Sequence, residues 1–234
     1  MKTIGLIGGM SWESTLVYYK IINEKIRELL GGFHSAKCII VSTDFAEIEE
    51  LQHKNNWQEL DDKMVEAAQQ TEKAGADFIL LCTNTMHLCS NAIVKNTSVP
   101  FIHIAQATAE KILEKGFRKV ALLGTKFTME KEFYKSVLAE NGIETLIPDE
   151  ADRELVHRVI YSELVHGKIK NESQDNYRQI IKKLEKKGAE GVILGCTEIP
   201  LLISETDVDI PVLDTTKIHA EKAVKSALES NSNF

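Results

Sequence analysis

A segment of the chain occurs twice, and this repeat limits what the chain can fold into. Residues 75–85 read GADFILLCTNT, and residues 188–198 read GAEGVILGCTE. The two segments are 113 residues apart (188 − 75 = 113), which aligns Thr83 with Cys196. Three further pairs recur in the same order at similar spacings: Gly8 and Gly124 (124 − 8 = 116), Tyr19 and Tyr134 (134 − 19 = 115), and Pro100 and Pro211 (211 − 100 = 111). The chain therefore contains two related halves.

Both repeated segments have the pattern of a buried parallel strand. Apolar residues run without alternation over 78–82 and 192–194, which is typical of strands covered by helices on both faces. Helical and strand patterns alternate on either side. The sequence predicts two similar three-layer α/β/α domains of flavodoxin-like type with parallel sheets, related by a pseudo-twofold axis.

The predicted domains are residues 1–104 plus 209–234, and residues 105–208. A last helix over 216–228 should lie back over the first half, followed by a frayed tail at 230–234. Ligands bind outside the carboxyl ends of strands in parallel sheets. We therefore expect the active site in the cleft between the domains, with Thr83 and Cys196 on opposite walls.

Composition and charge argue against several classes of protein. The net charge is −7 and no lysine- or arginine-rich stripe offsets it, which argues against a nucleic-acid partner. No apolar run approaches the length of a membrane span. The four cysteines lack CxxC spacing, so neither a zinc site nor a disulfide framework is predicted. With no signal-peptide pattern, the expectation is a cytoplasmic enzyme with reduced thiols.

A thiol facing a hydroxyl across a cleft suits chemistry on both faces of one carbon. In racemisation one group removes the Cα proton and another returns a proton to the opposite face. Cys196 can act as the base, whereas the Thr83 hydroxyl can donate a proton or position water. The transition state places charge on the α-carboxylate, and the predicted donors to it are Asn84, Thr85 and Thr197. The alternative is that Cys196 is an inert core residue.

Four segments together resemble one known family, the cofactor-independent aspartate/glutamate racemases. They are IGLIGGMSWEST (4–15), CTNTMH (82–87), GCTEIP (195–200) and DTTKIHAE (214–221). The resemblance covers nearly the whole chain. It implies an amino-acid racemase that works without pyridoxal phosphate or another cofactor, takes a small-molecule amino acid as its substrate and forms a homodimer.

The family usually carries a cysteine in each of its C-N-T-x-H and G-C-T motifs. In this chain the first cysteine position is held by Thr83, because Asn84, Thr85 and His87 fit the rest of the motif. Cys82 lies one residue early, and on a strand it would face the opposite side. The chain then resembles the subset with one thiol and one threonine, which is associated with L-aspartate/L-glutamate-specific activity.

Further residues are assigned to the site more broadly. The glycines of the turn at 8–10 are expected to let backbone amides approach a small ligand, and Met10 is assigned to substrate binding. Gln52 and Glu198 are assigned to contact with the substrate. His87 and Lys168 are assigned to positions behind the residues that contact the substrate. An acidic segment over 44–54 carries no arginine, which keeps a neutral or broad side-chain specificity open.

Two other functions fit the same architecture. A maleate isomerase or hydantoin racemase relative would also use such thiols. A non-catalytic amino-acid-binding protein would use the cleft alone, but it would have no need for a thiol at position 196.

Overall fold

The chain forms two compact units, seen in a computed structural model that describes residues 1–229. The first unit comprises Met1–Ile104 together with the chain from His219 onward, and the second comprises Ala105–Ile218. Among the described helices, none has the length and apolar character needed to cross a membrane. The predicted frayed tail at 230–234 lies outside the described residues.

The first unit is a four-stranded parallel sheet with helices. Its elements are β1 (Ile4–Gly8), α1 (Trp12–Leu30), β2 (Cys38–Ser42), α2 (Phe45–His53), α3 (Trp57–Lys73), β3 (Phe78–Leu81), a 3-10 helix (Thr85–Cys89), α4 (Ser90–Asn96) and β4 (Phe101–Ile102). The strand order is β2-β1-β3-β4, so β2 and β4 are the edges. Ser11 caps α1 by accepting a hydrogen bond from the Ser14 N–H, and Asp44 caps α2 in the same way.

The second unit repeats this topology. The elements that follow β4 are α5 (Ile104–Glu114), β5 (Lys119–Gly124), α6 (Lys126–Glu130), α7 (Glu132–Glu140), β6 (Glu144–Leu146), α8 (Glu150–Ser162), a 3-10 helix (Leu164–His166), α9 (Asn171–Lys186), β7 (Val192–Gly195), a 3-10 helix (Ile199–Leu201), β8 (Val212–Asp214) and α10 (Thr215–Leu228). The part of α10 from His219 onward belongs to the first unit. The strand order is β6-β5-β7-β8, with all pairs parallel. In each unit the third strand therefore lies second from one edge, between the first strand and the fourth.

Each sheet is buried by its helices. One face of the first sheet packs against α2, α3 and α4, and the other against α1 and the last turns of α10. Three of the residues that α10 contributes are alanines, Ala220, Ala223 and Ala227, which lets the helix approach the sheet closely. The prediction that the last helix returns to the first half is confirmed in this packing.

The predicted domain boundaries differ from the structure at residues 209–218. The sequence assigns this stretch to the first domain, but β8 pairs with β7 and so belongs to the second unit. The change of unit occurs within α10, at His219.

Two predicted helices are also shorter than expected. The pattern over 129–141 predicts one helix, whereas Lys131 is extended and separates α6 from α7. The helix predicted over 152–166 ends as α8 at Ser162, and one 3-10 turn follows it.

Candidate active site

The carboxyl end of β3 carries the first predicted catalytic residue. Thr83 is 8 % exposed, whereas its neighbour Cys82 has no exposed surface. The Cys82 side chain packs in the core between β1, α1 and α10, and burial raises the pKa of its thiol far above the usual range. This placement supports Thr83, rather than Cys82, as the residue that reaches the site.

His87 holds the backbone of Thr83 in place. Its Nδ1 donates to the Thr83 carbonyl (2.7 Å), and its Nε2 accepts the backbone N–H of Ile104 (3.1 Å). Because Nε2 is an acceptor, the ring is neutral and its proton is on Nδ1. Asn84 and Thr85, at the start of the 3-10 helix, are both buried, and the Asn84 carbonyl accepts the His87 N–H (3.1 Å).

Two further histidine rings lie beside the ring of His87. The ring centre of His103 is 4.7 Å away and that of His219 is 5.7 Å away. His219 Nε2 donates to the Ile102 carbonyl (2.8 Å), and its Nδ1 accepts from the Tyr18 hydroxyl (2.9 Å). We call His87, His103 and His219 the histidine cluster.

Burial keeps the histidine cluster neutral. It lowers the pKa of His103 to about 4 and the pKa of His219 to about 3, and it holds the pKa of His87 well below 6.5. For His87 the nearby His103 and His219 add to the lowering, since a second positive charge would be repelled. The sequence gives no signal for His103 and favours a structural or site-supporting role for His219, because the three histidines are far apart along the chain.

The carboxyl end of β7 carries the second predicted catalytic residue. The Cys196 thiol is 8 % exposed and donates to Glu198 Oε2 (3.0 Å). The Thr197 hydroxyl donates to the same carboxylate oxygen (2.6 Å). A side chain at Gly195 would lie 3.0 Å from the Leu123 carbonyl, so glycine permits the close strand pairing that ends just before the thiol.

The thiol of Cys196 is protonated at rest. Burial raises its pKa well above the ordinary value, and the charge of Glu198 and its hydrogen bond raise the pKa further. The backbone N–H groups of Glu198 and Ile199 oppose this rise. The sequence predicts a helix start after Cys196, but only the three-residue 3-10 helix follows, with Pro200 in its first turn.

The turn after β1 differs from its predicted role. Gly9 has a φ of +91°, and its N–H donates to Thr15 Oγ1 (2.8 Å). The Gly9 amide is thus used within the turn, whereas the sequence predicts that backbone amides of this turn approach a small ligand. The side chain of Met10 packs in the core against α2 and α3.

Gln52 is joined to the segment that contains Thr83. It lies on α2, is buried, and donates from Nε2 to the sulfur of Met86 (3.0 Å). Two acidic side chains of this segment form ion pairs, Glu47 with Lys63 and Glu50 with Lys54, and Glu49 contacts His53. The two lysines therefore offset part of the acidity of this segment.

Lys168 lies apart from these groups. It is exposed in the loop after the 3-10 helix Leu164–His166, and its backbone N–H donates to the Glu163 carbonyl (3.0 Å). Within the described part of the chain, its side chain forms no hydrogen bond or ion pair.

The core position of Cys82 gives a direct test of the register. We expect Cys82→Ala to retain most catalytic activity and to lower the free energy of unfolding by about 1–2 kcal/mol, because the change leaves a small cavity in the core. Activity and urea unfolding measure the two effects. A loss of activity without a loss of stability would contradict the assignment of Thr83.

The fold and the two strand ends define a parallel α/β protein with a thiol and a hydroxyl at equivalent positions of repeated units. The model of the family described as Asp/Glu/hydantoin racemase matches residues 7–223. The chain belongs to this family. It is therefore an isomerase of the amino-acid racemase class.

Relatives cover the chain almost completely. The broad-specificity amino-acid racemase RacX of Bacillus subtilis (strain 168) is 26 % identical over 237 residues, which cover 96 % of this chain and 98 % of RacX. A crystal structure from Yersinia pestis, of a protein described as a candidate Asp/Glu racemase, is 50 % identical with a TM-score of 0.93 and covers 98 % of this chain and 100 % of its own. A Pyrococcus horikoshii OT3 aspartate racemase homologue is 41 % identical with a TM-score of 0.87, at 98 % and 100 % coverage.

Proposed function

We propose that this chain racemises an acidic amino acid, aspartate or glutamate, without a cofactor, with Cys196 and Thr83 acting on opposite faces of Cα. The observation that carries the proposal is the equivalence of the two strand ends. One strand end carries the Cys196 thiol, which is hydrogen-bonded to the Glu198 carboxylate. The other carries the Thr83 hydroxyl, on a residue whose backbone carbonyl is hydrogen-bonded to His87. The aspartate racemase homologue among the similar structures supports the substrate class.

The first step is loss of the thiol proton to Glu198. The carboxylate already accepts the S–H hydrogen bond, so the transfer needs no movement of heavy atoms. A substrate ammonium group bound nearby would offset the unfavourable charge of the thiolate. The thiolate then takes the Cα proton, which converts Cys196 back to its neutral form.

The second step returns a proton to the other face of Cα. The Thr83 hydroxyl either donates this proton and takes one back from water, or positions the water molecule that donates it. Glu198 then releases to solvent the proton that it took from the thiol, so both residues return to their starting forms. Asn84, Thr85 and Thr197 supply donors to the substrate carboxylate, where charge develops. Met10 and Gln52 stay in the proposal as residues near the substrate, with Lys168 as a more distant support.

A second candidate is a broad-specificity racemase. The buried Gln52 and the absence of arginine from residues 44–54 favour this function, since Lys54, the lysine of this segment, is paired with Glu50 and does not select an acidic side chain. The name of the B. subtilis relative points the same way.

Proton exchange in deuterium oxide tests the proposal and separates the candidates. Each L-amino acid is incubated with the enzyme, and loss of its Cα–H signal is followed by proton NMR. Exchange confined to aspartate and glutamate supports the first candidate, and exchange of neutral amino acids as well supports the second. No exchange with any amino acid would overturn both.

Thr83→Cys tests the role of the hydroxyl. We expect the wild type to exchange the Cα proton faster from the enantiomer whose Cα hydrogen faces Cys196. A thiol has an accessible anion and a threonine hydroxyl does not, so Thr83→Cys should raise the exchange rate of the other enantiomer relative to this one. The side chains are close in size, so the stability cost should be about 1 kcal/mol or less. The exchange rate from each enantiomer is compared between the wild type and the variant. No relative gain in a folded variant would remove Thr83 from the reaction.

The predicted location and assembly also belong to this proposal. A reduced thiol at position 196 suits the cytoplasm, and the chain is proposed to act there as a homodimer.

A further inference from the structure

The hydroxyl of Tyr18 fixes the ring of His219. Tyr18 lies on α1 and His219 on α10, and neither has exposed surface. The Nδ1 of His219 is 2.9 Å from the Tyr18 hydroxyl, and its Nε2 is 2.8 Å from the Ile102 carbonyl at the end of β4. A carbonyl cannot donate, so Nε2 carries the proton, Nδ1 accepts and the hydroxyl donates. Tyr18 thus stabilises the one tautomer of His219 that can hold Ile102.

The ring of His87 holds the same backbone segment two residues later. The Ile104 N–H donates to its Nε2 (3.1 Å), and its Nδ1 donates to the Thr83 carbonyl (2.7 Å). The two histidine rings therefore bind neighbouring peptide groups of the turn between β4 and α5. His103 lies between these peptide groups, and its ring contacts the ring of His87.

Four hydrogen bonds in all connect Tyr18 with Thr83, and we call them the Tyr18–Thr83 network. Each of them has its donor on the Tyr18 side and its acceptor on the Thr83 side. Hydrogen bonds that point the same way strengthen one another, because a ring that accepts at one nitrogen becomes a better donor at the other. Loss of the first donor therefore weakens the bond that holds Ile102, and with it the placement of the next ring.

We propose that Tyr18 is a positioning residue for the racemase reaction, which acts through the Tyr18–Thr83 network to fix the direction of the Thr83 hydroxyl. The proposal rests on the function proposed above, in which Thr83 acts on one face of Cα. Threonine is branched at Cβ, so its χ1 angle is stiff and the direction of its hydroxyl follows the backbone. That backbone is held on both sides, since the Thr83 N–H donates to the Leu81 carbonyl (2.9 Å) and its own carbonyl accepts from His87.

The equivalent strand end of the second unit is supported in a different way. The 113-residue spacing aligns His87 with Pro200 (200 − 87 = 113), and the proline side chain has no hydrogen-bonding group. Cys196 is instead hydrogen-bonded to Glu198. This difference fits the chemistry, because a thiolate is a reactive base whereas a hydroxyl must be placed accurately to transfer a proton. The network therefore supports the weaker of the two reacting groups.

Tyr18→Phe tests the proposal, with Tyr134→Phe as its matched control. Each change removes one hydroxyl from a fully buried tyrosine, and the Tyr134 hydroxyl donates to Thr108 (3.0 Å), outside the network. Each folded variant is incubated in deuterium oxide with each pure enantiomer of glutamate and of methionine, one acidic and one neutral amino acid. Chiral chromatography measures inversion, and mass spectrometry measures deuterium at Cα of the enantiomer that was not inverted.

The two rates depend on different faces of Cα. For the enantiomer whose hydrogen faces Cys196, return of deuterium to that face needs the thiol, whereas inversion needs the Thr83 face as well. We expect Tyr18→Phe to lower inversion about tenfold and exchange without inversion less than about twofold. Tyr134→Phe should keep both rates within about twofold of the wild type. If Tyr18→Phe lowers both rates equally, or neither, the proposal is wrong.

Two substitutions of His219 separate its hydrogen bonds from its volume. His219→Gln keeps a donor for the Ile102 carbonyl and an acceptor for the Tyr18 hydroxyl, whereas His219→Leu keeps neither. We expect the glutamine variant to invert the substrate at least about five times faster than the leucine variant. Equal inversion by the two folded variants would contradict the network.

The ring protons of the network provide a readout that needs no activity. The His87 Nδ1–H and the His219 Nε2–H are buried and hydrogen-bonded, so in protein labelled with 15N-histidine they should exchange slowly with water and be seen by proton NMR. Tyr18→Phe should shift both signals and Tyr134→Phe neither, and an unshifted His87 signal in Tyr18→Phe would overturn the proposal. A wild type that exchanges no amino acid would overturn the proposed function and the role of Tyr18 with it. Wild-type racemisation with unaltered inversion by Tyr18→Phe would overturn the role of Tyr18 alone.

Discussion

Replacing Cys196 with serine is expected to lower α-proton exchange by at least about a thousandfold while leaving the fold intact. A serine hydroxyl is not ionised at neutral pH, so the strand end of β7 would keep its shape and lose its base. The measurement is loss of the Cα–H signal in deuterium oxide, with circular dichroism to verify folding.

The neighbouring carboxylate provides a matched variant. Glu198→Gln keeps the thiol and its size but removes the proton acceptor 3.0 Å away. We expect a smaller loss than for Cys196→Ser and a rate that continues to rise with pH, because solvent base must now remove the thiol proton. Cys196→Ser with wild-type exchange would show that the base lies elsewhere.

Mild acid is expected to destabilise the first unit steeply. The pKa values of His103 and His219 fall to about 4 and about 3 on folding, and that of His87 falls well below 6.5. Below pH 6.5 the unfolded chain therefore binds more protons than the folded chain, and stability falls as pH falls. For His103 and His219 together the loss is about 2–3 kcal/mol between pH 7 and pH 5.5, and His87 adds to it in the same direction.

Urea unfolding at several pH values measures this loss. Trp12 and Trp57 both lie in the first unit, so tryptophan fluorescence reports on that unit alone. His103→Gln should reduce the pH dependence by about a third. His34→Gln, in the exposed loop before β2, is the control and should leave it unchanged. A wild-type stability that is flat from pH 7 to pH 5.5 would contradict the neutral histidine cluster.

Sequence alone predicted the features that depend on local pattern and on the repeat. The apolar runs before Thr83 and Cys196 became the third strand of each sheet, because such strands are buried on both faces. The same reasoning placed two α/β units in order along the chain. It also separated Cys82 from Thr83, since side chains alternate on a strand.

The rest depends on contacts between distant residues. The sequence of the short strand at 212–214 does not indicate which sheet it joins. Residues 209–218 were therefore assigned to the first unit, although they belong to the second. The histidine cluster joins positions 87, 103 and 219, and the Gln52 contact with Met86 spans 34 residues. No periodicity or spacing in the sequence predicts such contacts, because they form only when the helices and strands pack together.

The first unit is built from two separate parts of the chain, and this affects the order in which the chain can fold during synthesis. One face of its sheet is completed by residues 220–227, and the Lys2 N–H donates to the Ala227 carbonyl. The whole second unit is synthesised before these residues leave the ribosome. We therefore expect the second unit to reach its native state first on the nascent chain, while Ile4, Leu6 and Phe78 still lack the part of their cover that α10 supplies. Emergence of α10 from the ribosome would then be the event that completes the first unit.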